Sequence, residues 1–291
     1  MTLNALGIYE KALPHDLTWK ERFALVHDLG FNFLEFSIDE SDERLARLDW
    51  SRHDRELFRQ AMWSQRARIN TLMLSGHRRF PLGSADPKVR QKALDLMSKA
   101  IDLAVDLGIR NIQVAGYDVY YEPKSLETRE RFIENLETCV HLAAKKMVML
   151  SIETMDDPFM NSLDKVVYIK SQIHSPWLQA YPDVGNLTAW PNNDIGRELE
   201  TYIDNIAAVH LKDSQPVTPS SPGKFREVPF GDGTVDFEAC LRIFARLKYS
   251  GSFTIEMWSQ QEPNPVACVK EAKAYFDALF RKVGIEQESI E

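Results

Sequence analysis

Four short segments of this 291-residue chain, SIETMD, AYPDVGN, AAVHLKD and FTIEMW, each carry an acid or a histidine where an apolar run ends. The residues are Glu153, Asp183, His210 and Glu256. Short apolar runs bounded by polar residues read as buried strands, so these side chains are expected at strand ends. Together they offer three carboxylates and one imidazole, a donor set that suits one divalent cation with room left for a substrate. Taken singly, each has an ordinary explanation. An acid at a strand end often caps a helix or pairs with a base, and a histidine there is often a hydrogen-bonded core residue. Taken together, three buried carboxylates would repel one another strongly without a cation. The set therefore points to a metal-dependent enzyme, provided the fold brings the four ends to one place.

The elements that must do so alternate along the whole chain. The strand candidates are ALGIYE, FNFLEFSI, INTLMLS, NIQVAG, MVMLSIE, LQAYPD, IAAVHLK and FTIEMW. Between them lie amphipathic stretches with helical periodicity, from TWKERFALVHDLG to NPVACVKEAKAYFDALFRKVG. Thr18 suits a helix N-cap and Gly30 its end, and Pro87 and Gly108 bracket the third helix. Strict alternation at this length predicts an α/β fold, a (β/α)8 TIM barrel spanning residues 1–291 as a single domain. A doubly wound open sheet is the alternative, but GIYEKALPHD lacks the glycine-rich phosphate turn that such a sheet carries after its first strand. In a barrel, Glu153, Asp183, His210 and Glu256 end strands five, six, seven and eight, four consecutive neighbours on the face where catalytic residues gather. A long loop is expected at about 213–235, after strand seven, where it can serve as a lid or binding loop.

Composition excludes several classes. Hydrophobic residues make up 44% of the chain, enough for a sizeable core. The net charge is −8 and no long basic run occurs, which argues against a nucleic-acid-binding protein. Three scattered cysteines, Cys139, Cys240 and Cys268, form neither a disulfide framework nor a CxxC zinc site. With no signal-peptide pattern at MTLNALGIYEKALPHD and no apolar run long enough to span a bilayer, a cytoplasmic protein without a membrane partner is expected.

The segments LGIYEKALP, SIDESDERLARLDWS, SGHRRFPLGS, AGYDVYYE, IETMDDPFMNS, YPDVGNLTAW, AVHLKD, VPFGDGTVDF and FTIEMWS extend over nearly the whole chain. They resemble the sugar-phosphate epimerase branch of the xylose isomerase-like barrels, in particular the bacterial L-ribulose-5-phosphate (L-xylulose-5-phosphate) 3-epimerases of L-ascorbate utilisation. The resemblance implies a ketopentose 5-phosphate substrate and one divalent metal held by Glu153, Asp183, His210 and Glu256. Zinc or manganese is favoured, with cobalt and magnesium as alternatives. It also implies that Glu153 and Glu256 are the two acid/base groups, flanking carbon 3 while the metal stabilises the enediolate.

Around this centre, substrate-binding candidates are Asn186, in PDVGN; Lys212, two residues past His210; and Trp258, two past Glu256. The loop after strand three adds His77 and Arg78, the long loop adds Arg226, and the end of strand one adds Tyr9, Glu10 and Lys11. Cationic members of this group suit a phosphate. Two alternative activities remain open at this stage. One is an aldose–ketose isomerase of hexulose-6-phosphate type on the same metal site; the other is a metal-dependent phosphodiesterase related to abasic-site endonucleases, which would need more histidines at strand ends. A homodimer or higher homo-oligomer is expected.

Overall fold

In the computed structural model, which describes residues 3–259 and 262–289, eight parallel strands form one sheet. They are β1 (Leu6–Tyr9), β2 (Phe33–Ile38), β3 (Ile69–Leu74) and β4 (Asn111–Ala115). Then come β5 (Met149–Glu153), β6 (Leu178–Tyr181), β7 (Ala208–Leu211) and β8 (Ser252–Ile255). Ladders join each consecutive pair from β1 to β6, then β7 to β8 and β8 to β1. The remaining gap, β6 to β7, is spanned by isolated bridges at Ala180–Ile206 and Asp183–His210. There the Ala207 amide donates to Ala180 O at 3.0 Å and the His210 amide to Pro182 O at 2.9 Å. The sheet is thus a nearly closed barrel, and the alternating pattern is read correctly as a TIM barrel. Strands such as FLEFSI are buried along their whole length because helices cover one face and the barrel interior the other.

The longer helices are α1 (Trp19–Asp28), α2 (Arg52–Ser64), α3 (Pro87–Leu107) and α4 (Leu126–Lys145), then α5 (Leu163–Ile173), α6 (Ile195–Tyr202), α7 (Phe237–Arg246) and α8 (Pro265–Val283), with short helical turns that include Asp42–Leu45 and Ala46–Asp49 after β2. Their ends follow local chemistry. Thr18 and Glu21 form a capping box on α1, and Asp86 caps α3 ahead of Pro87. Gly108 closes α3 at φ 79°, a left-handed conformation suited to glycine. Among the described residues, no helix is long and apolar enough to cross a membrane.

Residues 213–235, which join β7 to α7, are more ordered than a plain surface insertion. Bridges Gln215–Lys224 and Thr218–Ser221 fold their first half into a small antiparallel hairpin. Asp213, 1% exposed, gathers the second half. Its Oδ2 accepts from the Gly231 and Gly233 amides at 2.9 and 3.1 Å, and its Oδ1 from Ser214 and Val235 at 2.9 and 3.3 Å. Position 233 must be glycine for this approach, since a Cβ there would lie 2.0 Å from Asp213 Oδ1.

Two substrate-binding candidates turn out to be structural. Glu10 does not face the site: its carboxylate is fully buried against Arg22 Nη1 (2.9 Å), Arg44 Nη1 (2.7 Å) and Arg47 Nη1 (2.8 Å), and accepts from the Ser37 amide at 2.9 Å. The chain leaves β1 through a 3-10 turn at Glu10–Ala12, where Tyr9 and Lys11 line the cavity while Glu10 turns to arginines of α1 and of the segment after β2. Burial pushes the Glu10 carboxyl up, but Arg47 and Arg44 outweigh it and hold it below the usual glutamate range. His77 is likewise buried, with Nε2 3.1 Å from Ala93 O on α3. Burial lowers its pKa to about 4, which favours the neutral ring, and His77 is not among the residues that line the cavity.

Replacing Glu10 by glutamine removes the shared carboxylate from three buried guanidinium groups, of which Arg44 keeps a second acid, Asp39, and should destabilise the protein by about 3–5 kcal/mol at neutral pH, measured by chemical denaturation. Because the folded carboxyl is depressed, its contribution is present above the ordinary glutamate pKa and is lost as pH falls through the folded value. The stability gap between Glu10→Gln and the parent should therefore shrink in acid; a gap that stays constant would refute the charge-network account.

Candidate active site

The four strand-end residues converge. Glu153 is the last residue of β5, Asp183 lies two beyond β6, His210 is third in β7, and Glu256 immediately follows β8. All four are buried, and one ligand atom from each lies within 4.8 Å of the others. Ligands about 2.0–2.2 Å from a common ion would span nearly this distance. His210 Nδ1 is 2.8 Å from Glu153 Oε1 and 3.7 Å from Glu256 Oε2. Lys212 Nζ is 2.6 Å from Asp183 Oδ2 and 3.0 Å from Glu256 Oε2. Beside the lysine, neither of these two carboxylate oxygens has a hydrogen-bond partner among the described residues. Three acids and one imidazole, gathered and buried, make a set that could hold a divalent cation.

Local structure sets each orientation. Asp183 caps the short helix Val184–Ala189, accepting from the Asn186 amide through Oδ1 at 2.9 Å, which leaves Oδ2 for the cluster. That helix sits close because residue 185 is glycine: a Cβ there would come 2.4 Å from Lys212 O. Glu153 Oε2 accepts from the Gln113 side chain of β4. His210 Nε2 faces Glu35 Oε2 at 2.7 Å, and Glu35 Oε1 accepts from Thr71 Oγ1 (2.7 Å) and Tyr181 OH (2.8 Å).

The charge states follow from these neighbours. Burial raises the Glu153 carboxyl, with His210 opposing, and raises Asp183 to about 8 against the pull of Lys212. Burial also acts to raise Glu256, but Lys212 and His210 prevail and hold it at about 2. Burial alone would lower His210; Glu35, Glu256 and Glu153 together push it well above the usual histidine range.

The cluster opens into a cavity of about 30 Å³, room for on the order of two waters. Seven of the nine substrate-binding candidates line it. Tyr9 and Lys11 come from the end of β1, and Lys11 pairs with Asp39. Arg78 lies over the Tyr117 and Tyr120 rings at 5.2 and 5.3 Å. Asn186 donates to Thr154 O at 2.7 Å while its Oδ1 has no partner among the described residues. Lys212 and Arg226 sit 5.8 and 5.4 Å from the Trp258 ring. A larger space of about 430 Å³ shares Lys212, Glu256 and Trp258 with the first. Sequence reading missed Glu35, Gln113, Thr71 and Tyr181, all buried. For Glu35 the signal was present, a lone glutamate inside FNFLEFSI, where no surface position is available.

A family model described as xylose isomerase-like TIM barrel matches residues 23–279. The L-ribulose-5-phosphate 3-epimerase UlaE of Escherichia coli O157:H7 (strain EC4115) is 48% identical over 280 residues, covering 96% of each chain. SgbU of Escherichia coli K12, to which the same activity is provisionally assigned, is 51% identical over 284 residues, 98% of this chain and 99% of its own. The solved structure of D-allulose 3-epimerase from Methylomonas sp. superposes with a TM-score of 0.74 at 18% identity over 97% of both chains, a likeness of fold. By its sequence this chain belongs to the xylose isomerase-like TIM barrels and, within them, to the L-ribulose-5-phosphate 3-epimerases, enzymes of the isomerase class.

Proposed function

We propose that this protein interconverts L-ribulose 5-phosphate and L-xylulose 5-phosphate by epimerisation at carbon 3, with a divalent metal held by Glu153, Asp183, His210 and Glu256. The observation that carries the reading is the pairing of Glu153 and Glu256 in one buried cluster, on β5 and after β8, flanking the Asp183 and His210 contributed by the strands between them. Inversion at carbon 3 requires a proton to leave one face and return to the other, and two carboxylates on either side of the reacting carbon supply that pair. When bound, the metal, zinc or manganese by its donor set, supplies Lewis-acid stabilisation of the enediolate.

The surrounding residues complete the site. Lys212, buried against Asp183 and Glu256, adds positive charge where the enediolate develops. Asn186 Oδ1, buried at the cavity wall and without a partner among the described residues, suits a sugar hydroxyl. Arg78, Lys11 and Arg226 are cations on the same wall and suit the phosphate. Trp258 and Tyr9 meet edge to face at 5.9 Å and form an apolar part of the cavity wall. The hydrolase alternative is not supported: the only histidine in the cluster, among the described residues, is His210.

The deciding experiment is proton NMR of L-ribulose 5-phosphate with the enzyme in heavy water. Deuterium should enter at carbon 3 as L-xylulose 5-phosphate accumulates. Exchange confined to carbon 1 would instead establish an aldose–ketose isomerase. Glu153→Gln and Glu256→Gln should each lower turnover at least about 100-fold while leaving circular dichroism and the unfolding midpoint near wild type. Near-normal turnover in either variant removes that residue from the mechanism. Dialysis against a chelator should abolish turnover, and zinc or manganese should restore it; full activity in protein shown to be metal-free excludes the metal.

A further inference from the structure

Glu35 lies on β2, on the far side of the barrel from β5, β6 and β7, yet it is fully buried and reaches His210. The imidazole is held from both ends. Nε2 faces Glu35 Oε2 at 2.7 Å, while Nδ1 faces the Glu153–Glu256 side of the cluster. The two oxygens of Glu35 are used differently: among the described residues, Oε2 meets His210, and Oε1 accepts from Thr71 Oγ1 and Tyr181 OH. Tyr181 OH in turn lies 3.2 Å from Thr254 Oγ1, and its ring packs on the imidazole at 4.6 Å. These contacts draw on β2, β3, β6, β7 and β8.

We infer that Glu35 is a positioning residue: it holds a proton of His210 on Nε2, so that Nδ1, which faces the ligand carboxylates, is the nitrogen offered to the cation. Carboxylates are acceptor-only, so in the metal-free site both nitrogens can carry hydrogens, one toward Glu35 and one toward Glu153; a cation held among Glu153, Asp183 and Glu256 replaces the hydrogen on Nδ1, and Glu35, which stands outside that set, keeps the one on Nε2. The inference rests on the reading of His210 as a metal ligand. The hydroxyls on Oε1 make it sharply testable. In Glu35→Gln, those two donors still require an acceptor, so the amide oxygen must stay on their side. The amide NH2 then turns toward His210 and donates to Nε2. The proton is forced onto Nδ1, where it blocks the metal.

The test uses zinc as probe and protein labelled with 15N in histidine. In zinc-loaded wild type, NMR should show His210 with a proton on Nε2 and none on Nδ1. Zinc affinity, measured by competition with a chromophoric chelator, should fall about 10- to 100-fold in Glu35→Gln. Tyr181→Phe, which removes one donor from Oε1 but leaves the carboxylate facing His210, should keep the Nε2 proton and an affinity near wild type. Wild-type-like affinity with the Nε2 proton retained in Glu35→Gln would overturn the inference. So would equal weakening in both variants, which would mark a general packing effect. Zinc-loaded wild type without a proton on Nε2 overturns it even if neither variant folds. Wild type that binds no zinc would instead overturn the metal reading itself.

Discussion

Everything at the mouth of this barrel depends on a shortage of positive charge. Four carboxylates, Glu35, Glu153, Asp183 and Glu256, are buried within contact of one imidazole and one ammonium, those of His210 and Lys212. Removing that many charges from water is costly, and each must be compensated locally. Lys212 bridges two of the acids and His210 the other contacts, yet beside Lys212 neither Asp183 Oδ2 nor Glu256 Oε2 has a hydrogen-bond partner among the described residues. The opposite shifts of Asp183 and Glu256, one carboxyl raised and the other lowered, are the electrostatic trace of acids sharing too few cations. A divalent ion held by Glu153, Asp183, His210 and Glu256 would relieve the same imbalance.

The barrel makes that concentration of charge possible. Its parallel strands deliver their C-terminal ends to a single rim, and closure of β6 against β7 brings Asp183 beside His210. Beneath the rim, Glu35, Thr71, Gln113, Tyr181 and Thr254 form a polar layer inside the barrel, where branched apolar residues are the usual filling. This layer spends core hydrophobicity on orientation. Gln113 fixes Glu153, and Thr71 and Tyr181 fix Glu35. Above the rim, Asp213 gathers the returning half of the β7–α7 segment, while Phe225 and Arg226 of that segment line the cavity.

A second ionic centre, Glu10 with Arg22, Arg44 and Arg47, stands behind the site and not in it. It ties the end of β1 to α1 and to the short helices after β2, so that Tyr9 and Lys11 are presented to the cavity. Glu10 and His77 show the limit of position as a guide. Both lie in loops on the correct rim, but one residue of offset turns a side chain from the cavity to the helical layer. The neighbours that capture each, three arginines and the Ala93 carbonyl, are distant in sequence or on another element.

From sequence alone, the alternation of short apolar runs with amphipathic stretches determined the barrel, because each pattern matches the period and burial of one element type. The same patterns placed Glu153, Asp183, His210 and Glu256 at consecutive strand ends, because strand order in a barrel follows chain order. What only the tertiary structure decided was which polar residues meet. Glu35 is separated from His210 by 175 positions, and nothing local in FLEFSI distinguishes an acid aimed at an imidazole from one aimed at an arginine. Contacts across the barrel axis join residues remote in sequence. They are set by closure and register, which are properties of the packed whole and not of any segment within it.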